Sequence, residues 1–181
     1  TLELPDLICW EKVVQATGLC IRRADVPVPP TRIPVAEPPI PPPDRSDPFQ
    51  FPFFPDSIGY HTAMEGRLAR GVFGQGPTSM WMRMRVPVVP GESPSPLQRV
   101  MAAADSGNGV SVVLDVFKYT FINPDLTVYL HRPLEGEWVC LDAATIPDSN
   151  GVGLADTRLH DARGPIGRSV QSLIIERRGA A

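Results

Sequence analysis

A dense run of prolines near the amino end constrains this chain more than any other feature. Twelve of its 22 prolines lie between Pro27 and Pro55. Proline fixes φ and lacks a backbone N–H, so we expect neither a helix nor an interior strand there. Residues 26–56 are therefore predicted to form a semi-rigid polyproline II linker between a short head, residues 1–25, and a body, residues 57–179. A ligand for an SH3 or WW domain is the alternative interpretation.

Length, charge and cysteine content narrow the class of protein further. The 181 residues suffice for one full domain, and a hydrophobic content of 43% provides for a packed core. The net charge of −3 argues against a nucleic-acid partner, and no apolar run approaches the ~20 residues that a membrane span needs. Cys9, Cys20 and Cys140 lack metal-ligand spacing, and three scattered histidines add no metal signature. We therefore expect a cytoplasmic protein without a metal.

The body is divided by its turn residues into strands and one helix. Residues 60–73 and 79–89 have strand character, the second with methionine at alternate positions. Ser95 is a candidate N-cap, with Pro96 at the first helical position and apolar residues at helical spacing after it. We expect glycines 107 and 109 to end this helix. Further strands are predicted at residues 120–132, 137–145, 152–160 and 168–177. One helix among antiparallel strands predicts an α+β fold.

Four sequence motifs follow one another along the body: SMWMR at residues 79–83, AAAD at 102–105, YLHRP at 129–133 with EW at 137–138, and GRSVQ at 167–171. In that order they resemble motifs of the acyl-CoA thioesterase II-like, double-hotdog family. In that family, a strand with the motif W-[IM]-R precedes a helix that ends at an Asp. A strand with the motif F-H-R-P follows, the next strand carries a Trp, and the last strand carries a Gln. In the head, GLCIRRAD at residues 18–25 resembles the final strand of the first hotdog.

The resemblance implies a hotdog fold, in which an antiparallel sheet wraps around one central helix. Residues 57–179 would form the second hotdog and residues 1–25 the terminal strand of an incomplete first one, since a complete first hotdog needs about 100 residues. The implied reaction is hydrolysis of fatty acyl-CoA to free acid and CoA by an activated water, without a cofactor. The competing hypotheses are a non-catalytic hotdog that binds acyl-CoA or a partner, and a structural subunit whose complement supplies the first hotdog.

The resemblance also places the family's catalytic Asp, Thr and Gln on Asp105, Asn123 and Gln171. Asn in the Thr position departs from the family, and Thr127 is the alternative and a candidate for substrate binding. By chemistry alone, a carboxylate at the negative end of a helix suits a general base, although Asp105 also suits a turn. The Asn123 amide is able to hold a water, although Asn-Pro-Asp also suits a turn. Gln171 is either solvent-facing or a buried amide that needs partners.

A lone hotdog leaves one sheet edge and an apolar surface uncovered, and exposed edges invite pairing. In the family, the first hotdog covers that edge. We therefore predict a homodimer in which two bodies pair edge to edge. The aromatic end of the linker, residues 49–54, is expected to dock on the body because its phenylalanines are too apolar to remain in water.

Overall fold

A computed structural model of the chain describes residues 14–21, 39–52, 54 and 57–179. The chain divides into two units, Thr1–Arg32 and Ile33–Ala181. In the first unit, residues 14–21 are exposed and have no regular secondary structure. The strand predicted through this stretch is therefore wrong over these residues, because a strand needs a neighbour to pair its backbone groups. The rest of the head lies outside the described residues, and its assignment to a first hotdog stays a prediction.

The second unit consists of one antiparallel sheet and a small number of short helices. After a 3₁₀ turn at Pro43–Arg45, its elements are β1 (Asp47–Phe49), α1 (Tyr60–Ala63), β2 (Met64–Arg70), β3 (Thr78–Met84), α2 (Pro96–Ala104), α3 (Gly107–Val110), β4 (Tyr119–Ile122), β5 (Thr127–Leu130), β6 (Trp138–Pro147), β7 (Val152–Asp161) and β8 (Gly164–Arg177). The strand order is β1-β2-β3-β6-β7-β8-β4, and β5 also pairs with β8. The predicted α+β fold is confirmed.

Helix α2 starts where the sequence predicts, because Ser95 caps it. The Ser95 hydroxyl accepts from the backbone N–H of Gln98 at 3.2 Å, and the Gln98 side chain accepts from the Ser95 N–H at 2.7 Å. This reciprocal pair satisfies backbone donors that a helix start otherwise leaves open. The buried face of the helix carries Val100, Ala103 and Ala104, which join a core with Met80, Met82, Leu141 and Leu159.

Three predicted strands are shorter than expected, and the one predicted at residues 79–89 already ends at Met84. The segment predicted at residues 60–73 opens with α1, whose first turn is closed by a hydrogen bond from the Gly59 N–H to the Thr62 hydroxyl at 3.0 Å. The strand predicted at residues 120–132 is split into β4 and β5. Pro124 has no N–H for the ladder, and the Asp125 carboxylate accepts from the Ser172 N–H at 2.8 Å in place of a strand carbonyl.

The prediction that glycines 107 and 109 end the helix is also wrong. After Asp105 the chain makes a second helical turn, α3, which contains both glycines. Gly107 lies against β7 and β8, where a Cβ would come within 2.4 Å of the Thr157 Oγ1. Gly107 is thus needed for close approach of helix and sheet rather than for termination.

The described part of the proline-rich segment packs against the sheet. The Trp81 indole N–H donates to the Pro41 carbonyl at 2.7 Å, and Arg67 donates to the Pro43 carbonyl at 2.9 Å. Pro42 has φ −69° and ψ 163°, which is polyproline II geometry. The segment then makes the 3₁₀ turn and strand β1, which the prediction of a polyproline II linker did not include. Both are compatible with proline, because β1 is the edge strand of the sheet.

The aromatic end of the segment docks as predicted. The Phe49 and Phe51 rings lie 5.0 Å and 6.1 Å from the Phe73 ring, and all three pack with the core. Phe53 lies outside the described residues.

No helix in the described part of the chain is long and apolar enough to cross a membrane. Cys140 is fully buried, as predicted for an apolar role.

The HRP motif holds the far end of the sheet together through its arginine. Arg132 donates to both carboxylate oxygens of Asp161, whose side chain is fully buried, and to the carbonyls of Gly164 and Pro165 at 2.9 Å each. Burial alone opposes the charge of Asp161. Its hydrogen bonds from Arg132 and from the Glu135 and Arg163 N–H groups outweigh that effect, so the pKa of this carboxyl lies below its ordinary value.

Replacing the Asp161 carboxylate by an amide tests this arrangement. Asp161→Asn is expected to lower the free energy of unfolding by about 2–4 kcal/mol, because it leaves the Arg132 charge without its partner. Because the pKa of Asp161 is lower in the native state than in the unfolded state, its carboxylate stabilises the native state at pH values above the unfolded pKa. This stabilisation is lost as the pH falls below about 4. Urea titrations from pH 3 to 7 should therefore show a shallower acid loss in the variant. Glu135→Gln removes only an exposed ion pair with Arg163 and should cost much less. Equal losses in the two variants would contradict this interpretation.

Candidate active site

Three residues far apart in the sequence meet at the carboxyl end of α2. Asp105 is the C-cap residue of that helix. Its carboxylate Oδ1 accepts from the Asn123 amide at 2.8 Å and from the Gln171 amide at 3.2 Å. Gln171 also donates to the Asp105 backbone carbonyl at 2.9 Å. The structure therefore brings together the three residues that the resemblance singled out.

Gln171 lies on β8 with its side chain facing the helices, and only 1% of it is exposed. Its Oε1 accepts from the backbone N–H of Asn108 in α3 at 3.1 Å. A backbone N–H is always a donor, so this contact fixes the orientation of the amide and directs Nε2 at Asp105. The solvent-facing interpretation of Gln171 is wrong, and the amide joins α2 and α3 to the sheet.

Asn123 reaches the site because β4 ends at the residue before it. Ile122 still pairs with Ile174 of β8, and pairing resumes at Thr127 opposite Val170. Between these points Pro124 and Asp125 interrupt the ladder, which frees the Asn123 side chain to turn toward α2. Asn-Pro-Asp therefore breaks the strand, as its turn interpretation expected, and the role of Asn123 in the site stays a prediction.

The structure does not bring Thr127 to this site. Thr127 is exposed on β5 and lies directly opposite Val170. Paired residues of antiparallel strands project from the same face, and neighbours along a strand project from opposite faces. Thr127 is thus on the face away from Gln171, and the alternative register that would replace Asn123 with Thr127 is not adopted.

A groove of about 210 Å³ adjoins the carboxylate. Its lining combines polar residues with aromatic ones: Phe51, Phe54, Tyr60, Asp105, Ser106, Asn108, Gly109 and Asn123. The sequence placed Tyr60 in a strand and Phe51 and Phe54 in a linker, so it gave no reason to group them with Asp105. Tertiary packing alone brings these segments together.

Tyr60 adds a hydroxyl to the groove. It donates to the Ala102 carbonyl at 2.7 Å, so the Ser106 hydroxyl, also at 2.7 Å, is the donor of the second hydrogen bond. Burial, and to a lesser degree the Asp105 charge, raises the pKa of Tyr60 to about 12 against the opposing effect of the Ser106 hydrogen bond. The phenol therefore stays protonated at neutral pH.

Behind the groove lies a layer of buried polar residues. The Ser111 hydroxyl donates to the Gly107 carbonyl at 2.9 Å and lies 2.8 Å from the Thr145 hydroxyl. The buried Asn108 amide donates to the Phe121 carbonyl at 3.4 Å. These contacts hold α3 against β4 and β6 and so fix the N–H that orients Gln171. The described residues contain no group of three or more His, Cys, Asp or Glu side chains placed to hold a metal.

A comparison with known families identifies the family of the chain. The sequence profile of the acyl-CoA thioesterase C-terminal domain matches residues 34–175. The chain belongs to this family. The matched region of the acyl-CoA thioesterase C-terminal domain begins inside the proline-rich segment, whose residues 39–52 pack on the sheet.

Solved structures show the same fold. An acyl-CoA thioesterase II from Mycobacterium marinum superposes with a TM-score of 0.57 at 16% identity, over 87% of this chain and 61% of that chain. A protein described as having a hot dog fold, from Alicyclobacillus acidocaldarius, gives 0.56 at 18% identity, over 88% and 60%. The tesB protein of Mycobacterium avium subspecies paratuberculosis gives 0.55 at 16% identity, over 83% and 57%. The predicted hotdog fold is confirmed.

The chain spans about three fifths of the length of the M. marinum thioesterase that it resembles. A search of curated proteins found no match.

The tight fit of Gly107 gives a test of how the site is held. Gly107→Ala places a methyl 2.4 Å from the Thr157 Oγ1 and 3.2 Å from the Gln171 Oε1, so either α3 or these two side chains must shift. We expect a loss of about 1–3 kcal/mol in urea unfolding. The matched control is Gly109→Ala, whose methyl meets only the Phe51 ring at 4.0 Å. Adding Thr157→Ala to Gly107→Ala should recover part of the loss; no recovery would contradict the contact.

Proposed function

We propose that this protein hydrolyses fatty acyl-CoA thioesters to free acid and CoA, with Asp105 and Asn123 as catalytic residues and Gln171 as the residue that positions Asp105. The observation that carries the proposal is the carboxylate of Asp105, held by two amides at the edge of a groove with an apolar side. Family membership supports thioester hydrolysis in general. The fatty acyl-CoA substrate and the roles below are our inference.

In the proposed reaction Asp105 acts as a general base toward a water molecule. The two amide N–H groups bind Oδ1, and Oδ2 has no hydrogen-bond partner among the described residues. Oδ2 is thus the oxygen that takes a proton from the water as the water oxygen bonds to the thioester carbon. The tetrahedral intermediate then breaks its C–S bond, and the proton on Asp105 passes to the CoA thiolate.

The amides of Asn123 and Gln171 have different tasks in this scheme. Gln171 is saturated by the Asp105 and Asn108 contacts, so it positions the base and does not need to touch the substrate. The Asn123 amide uses one N–H for Asp105 and retains a second one for the attacking water or the thioester oxygen. Asn123 therefore performs the donor task for which the family uses Thr.

A non-catalytic hotdog that binds acyl-CoA or a partner subunit is the alternative function. The observation in its favour is that the described residues provide no hydroxyl among the hydrogen-bond partners of Asp105. The two hypotheses differ in turnover and share a binding site, so one variant series separates them.

We propose the cytoplasm as the compartment of this reaction. The two cysteines in the described residues, Cys20 and Cys140, are free thiols. Free thiols persist in a reducing compartment such as the cytoplasm. The protein would encounter the acyl-CoA of lipid metabolism there.

Removing the charge of Asp105 tests the proposed base. Asp105→Asn keeps the shape of the side chain but cannot accept a proton from water, so kcat/KM for octanoyl-CoA should fall about 100-fold or more. A thiol-trapping assay of CoA release measures this directly. Asp148→Asn, in the turn between β6 and β7, is the matched control and should leave the rate unchanged.

Two further outcomes bear on the same assay. Asn123→Thr keeps a donor at that position and should retain turnover. Unchanged release of CoA by Asp105→Asn would end the assignment of the base, while binding without turnover in the unsubstituted protein would favour the alternative function.

We also propose that the protein assembles as a homodimer through the β4–β5 edge of its sheet. Three apolar side chains on these strands are exposed: Ile122, Tyr129 and Leu130. Strand β5 is an edge strand, and an uncovered edge with apolar side chains favours pairing with another strand. The opposite edge is formed by β1, which is short and contains Pro48, both of which discourage pairing.

Light scattering at micromolar concentration tests the dimer. Tyr129→Lys puts a charge on the edge at a side chain that is 69% exposed, so it should convert the dimer to a monomer without loss of fold. Val152→Lys, at a side chain 56% exposed on β7, is the control and should leave the dimer intact. A stable monomer near 19.7 kDa for the unsubstituted chain would refute edge pairing.

A further inference from the structure

The apolar side of the groove is built by the proline-rich segment rather than by the sheet or the central helix. Phe51 and Phe54 both come from that segment, and their rings make an edge contact at 6.2 Å and 81°. Phe51 is 9% exposed and packs with the core, whereas Phe54 is 38% exposed. Phe51 therefore forms the floor of the groove and Phe54 its rim.

A second, larger cleft is lined by two residues that adjoin Phe51, namely Pro52 and Phe73. It has a volume of about 410 Å³, and its lining is mainly apolar: Pro52, Phe73, Gly74 and residues 112–117. Pro52 follows Phe51 in the chain, and the Phe51 and Phe73 rings lie 6.1 Å apart at 69°. On its other side Phe51 faces Gly109 of α3, which lines the groove. The Phe51 ring thus lines the groove and contacts Phe73, which lines the cleft.

We propose that Phe51 is the residue that sets the upper limit on acyl-chain length. This inference rests on the proposed function. The thioester would lie at Asp105 and Asn123, and the chain would run along the aromatic side until its methyl end meets the Phe51 ring. A groove of about 210 Å³ is smaller than the ~300–1,000 Å³ of common small-molecule sites. The site therefore selects short to medium chains, and the larger cleft is closed to the substrate.

The energetic basis is the burial of methylene groups. Each additional methylene that leaves water strengthens binding about fourfold. That gain stops when the chain reaches the Phe51 ring, because further methylenes must stay in solvent or displace a ring that is part of the core. In this proposal, removing the ring opens the groove toward the cleft, so the gain should continue for longer chains.

Gly109 offers a change in the opposite direction that does not disturb the fold. A Cβ at this position would lie 4.0 Å from the Phe51 Cε1, an ordinary van der Waals distance. Alanine is also a better helix former than glycine within α3. Gly109→Ala therefore shortens the groove by about one methyl without a clash.

The test compares kcat/KM for butanoyl-, octanoyl- and palmitoyl-CoA in the full chain and its variants. Phe51→Ala should raise the ratio of palmitoyl- to octanoyl-CoA about tenfold or more, and Phe51→Leu should do so to a smaller degree. Gly109→Ala should lower the ratio of octanoyl- to butanoyl-CoA by about fourfold. Phe54→Leu, at the rim, is the control and should change all three substrates alike. Thermal unfolding checks that each variant is folded.

A second readout separates this inference from the proposed function. Calorimetry measures the affinity for alkyl-CoA thioethers, which the protein cannot hydrolyse, so this readout does not depend on turnover. The probes carry alkyl chains of 4, 8 and 16 carbons to match the three substrates. The same shifts in relative affinity, with no CoA release by any form, would support the role of Phe51 and refute the hydrolase. If the protein hydrolyses acyl-CoA but its dependence on chain length is the same in Gly109→Ala and in the folded Phe51 variants, the role of Phe51 is refuted. Absence of both binding and turnover would refute both.

Discussion

The buried amide of Gln171 is the interaction on which the site depends. It contacts α2 through the Asp105 carbonyl and carboxylate and α3 through the Asn108 N–H, while its own backbone belongs to β8. A buried amide without partners is costly, so the helices cannot shift along the sheet without losing these bonds. The same contact that secures the central helix to the sheet therefore also fixes the carboxylate that would act on substrate.

The neighbouring features follow from this contact. Close approach of α3 to β7 needs a residue without a side chain at 107, and the polar layer of Asn108, Ser111 and Thr145 supports α3 from behind. The break between β4 and β5 lets Asn123 reach the same carboxylate oxygen from the other side. Both amides bind Oδ1, so among the described residues Oδ2 is the carboxylate oxygen left to meet a water.

The sequence was informative wherever a local rule decides the structure. Ser95 and Pro96 predicted the start of α2, because capping depends on neighbouring residues. The motif order predicted that Asp105, Asn123 and Gln171 belong together. It did not predict Tyr60 or Phe51 at the groove, since their contacts are made across the fold and no local pattern marks them. The proline-rich segment was correctly expected to dock, but its contribution of the groove floor depends on where Phe51 packs.

A double-mutant cycle on kcat/KM tests the central claim most directly, which is that Asn123 acts on the reaction together with Asp105. The cycle combines Asp105→Asn with Asn123→Val, and the claim predicts that Asn123→Val lowers kcat/KM much less in the Asp105→Asn background than in the unsubstituted protein, because the amide that holds Oδ1 then has no base left to hold. Losses that multiply in the double variant would show that the two residues act independently, and would contradict the account.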